Sequence, residues 1–255
     1  MLRRLFPSRT REPAPAAAVP EGSVVYAVGD IHGRADLLDR LHDKIARDAA
    51  GRSEPRKVLV YLGDYVDRGL ESRQVIDRLL DPPDDGIERV LLKGNHEDAM
   101  LQFLDDTAIG RSWMGFGGDA TLYSYGVDVL GTPPEGVDRL AFIQQMLRDR
   151  LPRSHADLLG TLRLCHGEGD YHFCHAGVRP GVPLEAQTAQ DLMWIRDDFL
   201  NSRKPLGKIV VHGHSIEAQP VVTANRIGID TGAFATGVLT ALVLAGQQRA
   251  FLSTP

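Results

Sequence analysis

Three short polar blocks, each directly behind an apolar run, constrain this chain more than any other feature. Gly29-Asp30-Ile31-His32-Gly33 follows Val24–Val28, Gly63-Asp64-Tyr65-Val66-Asp67-Arg68-Gly69 follows Val58–Leu62, and Gly94-Asn95-His96-Glu97 follows Val90–Leu92. Apolar, β-rich runs that alternate with segments of helical period predict strands buried on both faces, largely parallel, in an α/β fold. Leu37, Leu38, Leu41 and Ile45 mark one face of a helix beginning near Asp36, and Val75, Ile76, Leu79 and Leu80 mark a second before the Pro82-Pro83 break. A third helix is expected from about Glu97.

The second half returns to strands at Tyr171–Cys174, Ile209–Val211, Arg226–Ile229 and Val238–Leu244. Between the halves, Trp113-Met114-Gly115-Phe116-Gly117-Gly118 reads as a loop and roughly Val137–Leu151 as a helix, so residues 105–160 are expected to form a cap-like insertion. Trp113, Phe116, Tyr123 and Tyr125 within it are candidates to wall a cleft. Residues 1–22, with four arginines and a Pro/Ala-rich stretch, read as a flexible basic tail, and residues 23–255 as a single domain.

Asp30, Asp64, Asn95, His175 and His212 each fall at the carboxyl end of a predicted strand, where open α/β sheets assemble their sites. A lone Asp or Asn behind a strand is ordinarily a turn residue or helix cap. Five strand ends bearing only Asp, Asn and His, four of them next to a glycine, are a different matter. They supply hard oxygen and borderline nitrogen donors, the set that holds two divalent ions against a phosphate.

Composition excludes several alternatives. The net charge is -5, and outside residues 1–22 there are 25 basic against 32 acidic side chains, a poor balance for binding nucleic acid. Cys165 and Cys174 are too few and too unpatterned for a disulfide framework or a thiolate metal site, which suits the reducing cytoplasm. No apolar run approaches the roughly 18 residues of a membrane-spanning helix, so no stable membrane insertion is expected.

These blocks, with His175-Ala176-Gly177 and His212-Gly213-His214, resemble the phosphoprotein phosphatase family of binuclear metallophosphoesterases, in its bacterial and bacteriophage-type branch. Asp67-Arg68-Gly69, three residues after Asp64, is characteristic of that branch and of relatives that split dinucleoside tetraphosphates. The resemblance implies a metallophosphoesterase-type β-sandwich flanked by helices on both sides, a four-layer α-β-β-α arrangement. It implies one metal held by Asp30, His32 and Asp64, and a second held by Asp64, Asn95, His175 and His212, with Asp64 bridging.

It further implies a hydroxide shared by the ions attacking phosphorus in line. Arg68 and Arg196 would grip phosphate oxygens, His96 would protonate the leaving oxygen, and Asp67 would orient His96. The implied donor set suits manganese, with iron(II) or zinc as alternatives. The implied substrate is a phosphorylated protein or peptide, on serine or threonine first and tyrosine next, with small phosphate esters accepted in vitro. A symmetrical dinucleoside tetraphosphate hydrolase is the first alternative, and a catalytically silent phosphate-binding protein the second. His214, two residues beyond His212, is expected to support the ligands from behind. His42, His155, His166 and His172 match no family position, and Asp230 resembles a late family loop near the site.

Overall fold

The computed structural model describes residues 17–83 and 85–254. The chain first builds β1 (Ser23–Val28), α1 (Ala35–Ala50), β2 (Arg56–Tyr61), α2 (Ser72–Leu80), β3 (Glu88–Leu91) and α3 (Asn95–Asp105). Short helices α4 (Gly110–Trp113) and α5 (Asp119–Ser124) follow, joined by a π-turn, and then α6 (Arg139–Arg150) and α7 (Arg153–Thr161). The second half contributes β4 (Cys165–Glu168), β5 (Tyr171–Cys174), α8 (Ala189–Trp194), α9 (Asp197–Leu200), β6 (Ile209–His212), β7 (Val221–Val222), β8 (Arg226–Gly228), α10 (Ala233–Thr236), β9 (Thr240–Ala245) and β10 (Gln248–Ser253).

Two five-stranded sheets result, in the orders β10-β9-β1-β2-β3 and β4-β5-β6-β8-β7. Strand alternation sorts their side chains into three apolar layers. Val24, Tyr26 and Val28 face a core shared with α1, α2 and α3, whereas Val25 and Ala27 face Phe173, Val211 and Ile227 of the other sheet. On the far side, Cys174 and Val210 pack against Leu192, Ile195 and Phe199 of the segment containing α8 and α9. The expected four layers, helices, sheet, sheet, helices, are therefore present.

Three expectations are corrected. The strands are parallel only at the sheet centres: β1–β2–β3 and β5–β6–β8 are parallel, but β9, β10, β4 and β7 join antiparallel. Of these outer strands, β10 is mostly exposed and β7 is two residues long, so neither carries the apolar run that marks a buried strand. Residues 113–118 are helical rather than a loop, with the break confined to Gly117 at φ 100°. Helices of residues 105–160 also extend the outer helical layer, contributing Trp113, Leu122, Ile143, Leu147 and Leu159 to the same core as α1.

The tail expected over residues 1–22 lies outside the described residues as far as residue 16. Residues 17–22 are packed: the Ala18 N–H donates to Asp170 at 2.9 Å, and Val19 is buried between the sheets. No described helix is long and apolar enough to cross a membrane.

Phe173, fully buried between the sheets, tests the sandwich. Phe173→Ala is expected to cost about 3–5 kcal/mol in urea unfolding at unchanged m-value. A loss below about 1 kcal/mol would show that this layer is not a close-packed core.

Candidate metal centre

Parallel strands β1, β2 and β3 end side by side, and the blocks behind them are locked together by backbone hydrogen bonds. The Asp64 carbonyl accepts the N–H groups of Ile31 and His32 at 3.1 and 2.8 Å. The buried Glu97 carboxylate accepts four more, from Asp64 (2.9 Å), Tyr65 (2.7 Å), Val66 (3.3 Å) and Gly94 (2.9 Å). Burial, reinforced by nearby Asp64, pushes the Glu97 pKa up to about 7. Two glycines are required by close approach: a Cβ on Gly94 would stand 2.1 Å from Asp64 Oδ1, and one on Gly213 would stand 1.9 Å from Asp30 Oδ1.

The backbone is strained where the side chains converge. Among the described residues the non-glycines with positive φ are His32 (46°), Asp64 (52°), Asp67 (72°), Arg68 (67°) and His214 (63°). Each such conformation costs on the order of 1–3 kcal/mol and persists only where its surroundings over-determine it.

Around Asp64 the ligand atoms of His32, Asp64 and His96 lie within 4.8 Å of one another, and so do those of Asp64, His175 and His214. Asp64 Oδ2 is 3.5 Å from His32 Nε2, 3.4 Å from His175 Nε2 and 3.8 Å from His96 Nε2. His32 donates Nδ1–H to the Val66 carbonyl at 2.9 Å, and His175 donates Nδ1–H to the Leu62 carbonyl at 2.9 Å. Both rings therefore turn Nε2 inward.

His175 Nε2 lies 2.9 Å from Asn95 Oδ1, and the buried Nε2 atoms of His32 and His214 have no partner. Such an arrangement calls for a cation, and the His, Asp and Asn donors fit a divalent ion with borderline preferences.

Electrostatics agree. Burial drives the imidazoles toward neutrality, lowering the pKa of His32 to about 3 and that of His214 to about 2. For His175 burial acts in the same direction, but the Asp64 carboxylate, with Asp30 and Glu97 behind it, prevails and raises its pKa to about 10. Burial also disfavours an ionised Asp64, yet His175, His96 and His32 hold it well below the usual carboxylate range. Asp30 shifts the other way, raised by burial and by the Asp230 carboxylate.

His96 lies at the edge. Its Nδ1 pairs with Asp67 Oδ2 at 2.7 Å and its Nε2 accepts Arg68 Nη2–H at 3.2 Å. Burial lowers the His96 pKa, but Asp64 and Asp67 outweigh it and the net shift is upward. Asp67 is fixed in turn by Thr121 Oγ1–H at 2.6 Å and Trp113 Nε1–H at 3.0 Å. The Arg68 guanidinium lies 4.7 Å from the Phe234 ring centroid. Arg196 donates to the His214 carbonyl at 3.2 Å and to Ser215 Oγ at 3.4 Å, while the nearby carboxylates of Asp191 and Asp198 pair with Arg179.

Asp64, His32, Asn95, His175, His96, Asp67 and Arg68 are thus brought together, and Asp30 borders them, its carboxylate accepting the His214 N–H at 3.0 Å. His212 is not among them. Its Nε2 accepts Arg226 Nη1–H at 3.3 Å and its ring stacks edgewise on Phe199, so its lone pair is turned away from the centre. The position that the resemblance implied for His212 is taken by His214: β6 ends at His212, and His214 follows in a left-handed turn that sets it beside Asp64 and His175.

Other contributors had little sequence signal. Glu97 clamps backbone rather than substrate, and Trp113 and Thr121 reach Asp67 from a segment read as irregular. Trp113 and Tyr125 do not wall a cleft: Trp113 is fully buried beneath Asp67, and Tyr125 is bonded to His155 at 2.8 Å. His42 pairs with Tyr61, His155 also with Asp77, and His166 with Glu168.

Residues 23–232 match the family model described as calcineurin-like phosphoesterase. The serine/threonine-protein phosphatase PP2A-like PPG1 of Candida albicans is 32% identical over 146 residues, 57% of this chain and 29% of that protein, so the chain spans under a third of that relative. The asymmetrical bis(5'-nucleosyl)-tetraphosphatase PrpE of Anoxybacillus flavithermus is 24% identical over 233 residues, 84% of this chain and 88% of that protein. In fold, a solved serine/threonine phosphatase from Saccharomyces cerevisiae superposes with a TM-score of 0.55 at 15% identity, covering 91% of this chain and 79% of that one.

The two histidines of His212-Gly213-His214 separate cleanly by metal content. His214→Ala is expected to lower the manganese retained per folded chain, and His212→Ala to leave it near the wild-type value. The reverse pattern would return the ligand role to His212.

Proposed function

Because this chain belongs to the calcineurin-like phosphoesterase family of metal-dependent hydrolases, we propose that it removes phosphate from proteins in the cytoplasm, from phosphoserine and phosphothreonine and also from phosphotyrosine. One domain over residues 23–255 carries the activity. The observation that supports this reading is the sharing of Asp64 by two groups of inward-facing donors, with the His96–Asp67 pair and Arg68 beside them.

Asp30, His32 and Asp64 would hold one divalent ion, and Asp64, Asn95, His175 and His214 the other. Manganese suits the isolated enzyme, with iron(II) or zinc as alternatives. When bound, the two ions neutralise phosphate charge and lower the pKa of an attacking water.

The remaining steps belong to the chain. Arg68 and Arg196 grip phosphate oxygens through planar guanidinium groups. A phosphate that draws Arg68 away from His96 frees Nε2 to take up a proton from solvent, and the imidazolium so formed can donate that proton to the leaving oxygen. Asp67 fixes the ring and favours its charged form. A second reading, hydrolysis of dinucleoside tetraphosphates, is favoured by one observation, the match to PrpE along nearly its whole length.

The decisive measurement is phosphate release by the manganese-loaded protein from matched phosphoserine, phosphothreonine and phosphotyrosine peptides, with diadenosine tetraphosphate alongside and Asp64→Ala as the blank. Peptide turnover that vanishes in the blank is expected. Turnover of the dinucleotide alone would transfer the assignment to nucleotide hydrolysis.

The pH profile tests the acid. Since the His96 pKa is raised above its ordinary value, the protonated ring persists to higher pH than a free imidazole, and turnover of esters with poor leaving groups should fall only as pH rises through that raised value. Asp67→Asn should shift this basic limb to lower pH, and His96→Asn should abolish it while retaining both ions. An unmoved limb in both variants would remove His96 from the reaction.

A further inference from the structure

Phe116 is a large aromatic side chain left 44% exposed, although Trp113, three residues before it, is fully buried in the core. Its ring centroid is 6.3 Å from that of His96 on one side and 6.3 Å from that of Trp194 on the other. The position is built in. The π-turn carrying Phe116 spans Met114–Gly118 and kinks at Gly117, whose carbonyl accepts the Arg68 N–H at 3.0 Å, and a Cβ on Gly117 would lie 2.9 Å from Arg68. The chain thereby ties an exposed ring to the arginine assigned to the phosphate and faces it toward the histidine assigned to the leaving oxygen. A second ring, Phe234, has its centroid 5.5 Å from that of His32 and lies against the Arg68 guanidinium.

We propose that Phe116, backed by Trp194, is a specificity-determining residue that favours aryl phosphate esters, which among phosphorylated side chains means phosphotyrosine. The inference rests on the phosphomonoester hydrolase reading above, with His96 as the leaving-group acid. A leaving oxygen within hydrogen-bond reach of His96 Nε2 carries its next atoms toward Phe116. In an aryl ester those atoms are a ring joined directly to the oxygen, which falls in the 4.5–7 Å range of aromatic pairs.

A phosphoserine presents only a methylene at that depth and gains no ring contact. A nucleobase is set back from its scissile phosphate by ribose and further phosphates, so it would pass beyond Phe116. The open cavity of about 330 Å³ that Trp194 and Arg196 help to line gives the polypeptide beside the aryl ring somewhere to lie.

The test is steady-state kinetics of the manganese-loaded full chain on two peptides identical except for phosphotyrosine or phosphoserine. Phe116→Ala and Phe116→Leu are each expected to lower the ratio of kcat/KM for phosphotyrosine over phosphoserine by about 2- to 10-fold, the size of an aromatic pair. Phe116→Tyr, which restores a flat face, should recover the wild-type ratio. Equal losses on both peptides, or an unchanged ratio in the Ala and Leu variants, would overturn the role of Phe116 while leaving the hydrolase reading intact. A wild-type protein inactive on both peptides would overturn the underlying reading instead.

Discussion

One buried carboxylate organises this molecule. Asp64 lies between His32, His96 and His175 with its oxygen 3.4–3.8 Å from each imidazole nitrogen. An ionised carboxylate without compensation at such depth would be strongly disfavoured. It stays ionised because three rings and the His96 N–H converge on it, His32 and His175 being oriented by the Val66 and Leu62 carbonyls and His96 by the Asp67 carboxylate. The parallel pairing of β1, β2 and β3 is what puts these groups within reach, so sheet register and site chemistry are one constraint.

The cost of that convergence is visible in the backbone. The five left-handed non-glycines all fall in blocks that line the site, a distribution that ordinary turns would not produce. Glu97 offsets part of the strain. By accepting four N–H groups from two strand-end loops, its side chain fastens Gly63–Val66 to the start of α3 and replaces the ladder that ends there. A carboxylate that never touches substrate is thus as necessary to the arrangement as those that would hold metal.

Much of this was legible in the sequence, and the reason is local. Asp30, Asp64 and Asn95 each follow an apolar run within a few residues, so strand position predicts their placement whatever the rest of the chain does. The two sheets were legible for the same reason where strands are buried on both faces. What failed depended on information that is not local. Period-two alternation put His212 and His214 on one face, but His214 stands past the end of β6 in a left-handed turn, and Arg226 from the neighbouring strand occupies the His212 lone pair. Edge strands β4, β7 and β10 carry too little apolar character to be read, and Trp113 looked like a cleft wall because nothing in a sequence shows an indole reaching Asp67 across 46 positions.

The same division separates chemistry from selectivity. Residues that would bind metal and phosphate sit on strand ends, whose positions are fixed by the most cooperative part of the fold. Phe116 sits on a π-turn in the helical layer, held to the site by one backbone hydrogen bond to Arg68 and by the close fit at Gly117. Substitutions in that turn can change which leaving group is accommodated without disturbing the carboxylate and imidazoles below. A fold arranged in this way keeps one reaction while its substrate range varies, which accounts for a single family containing relatives named for phosphoproteins and for dinucleotides.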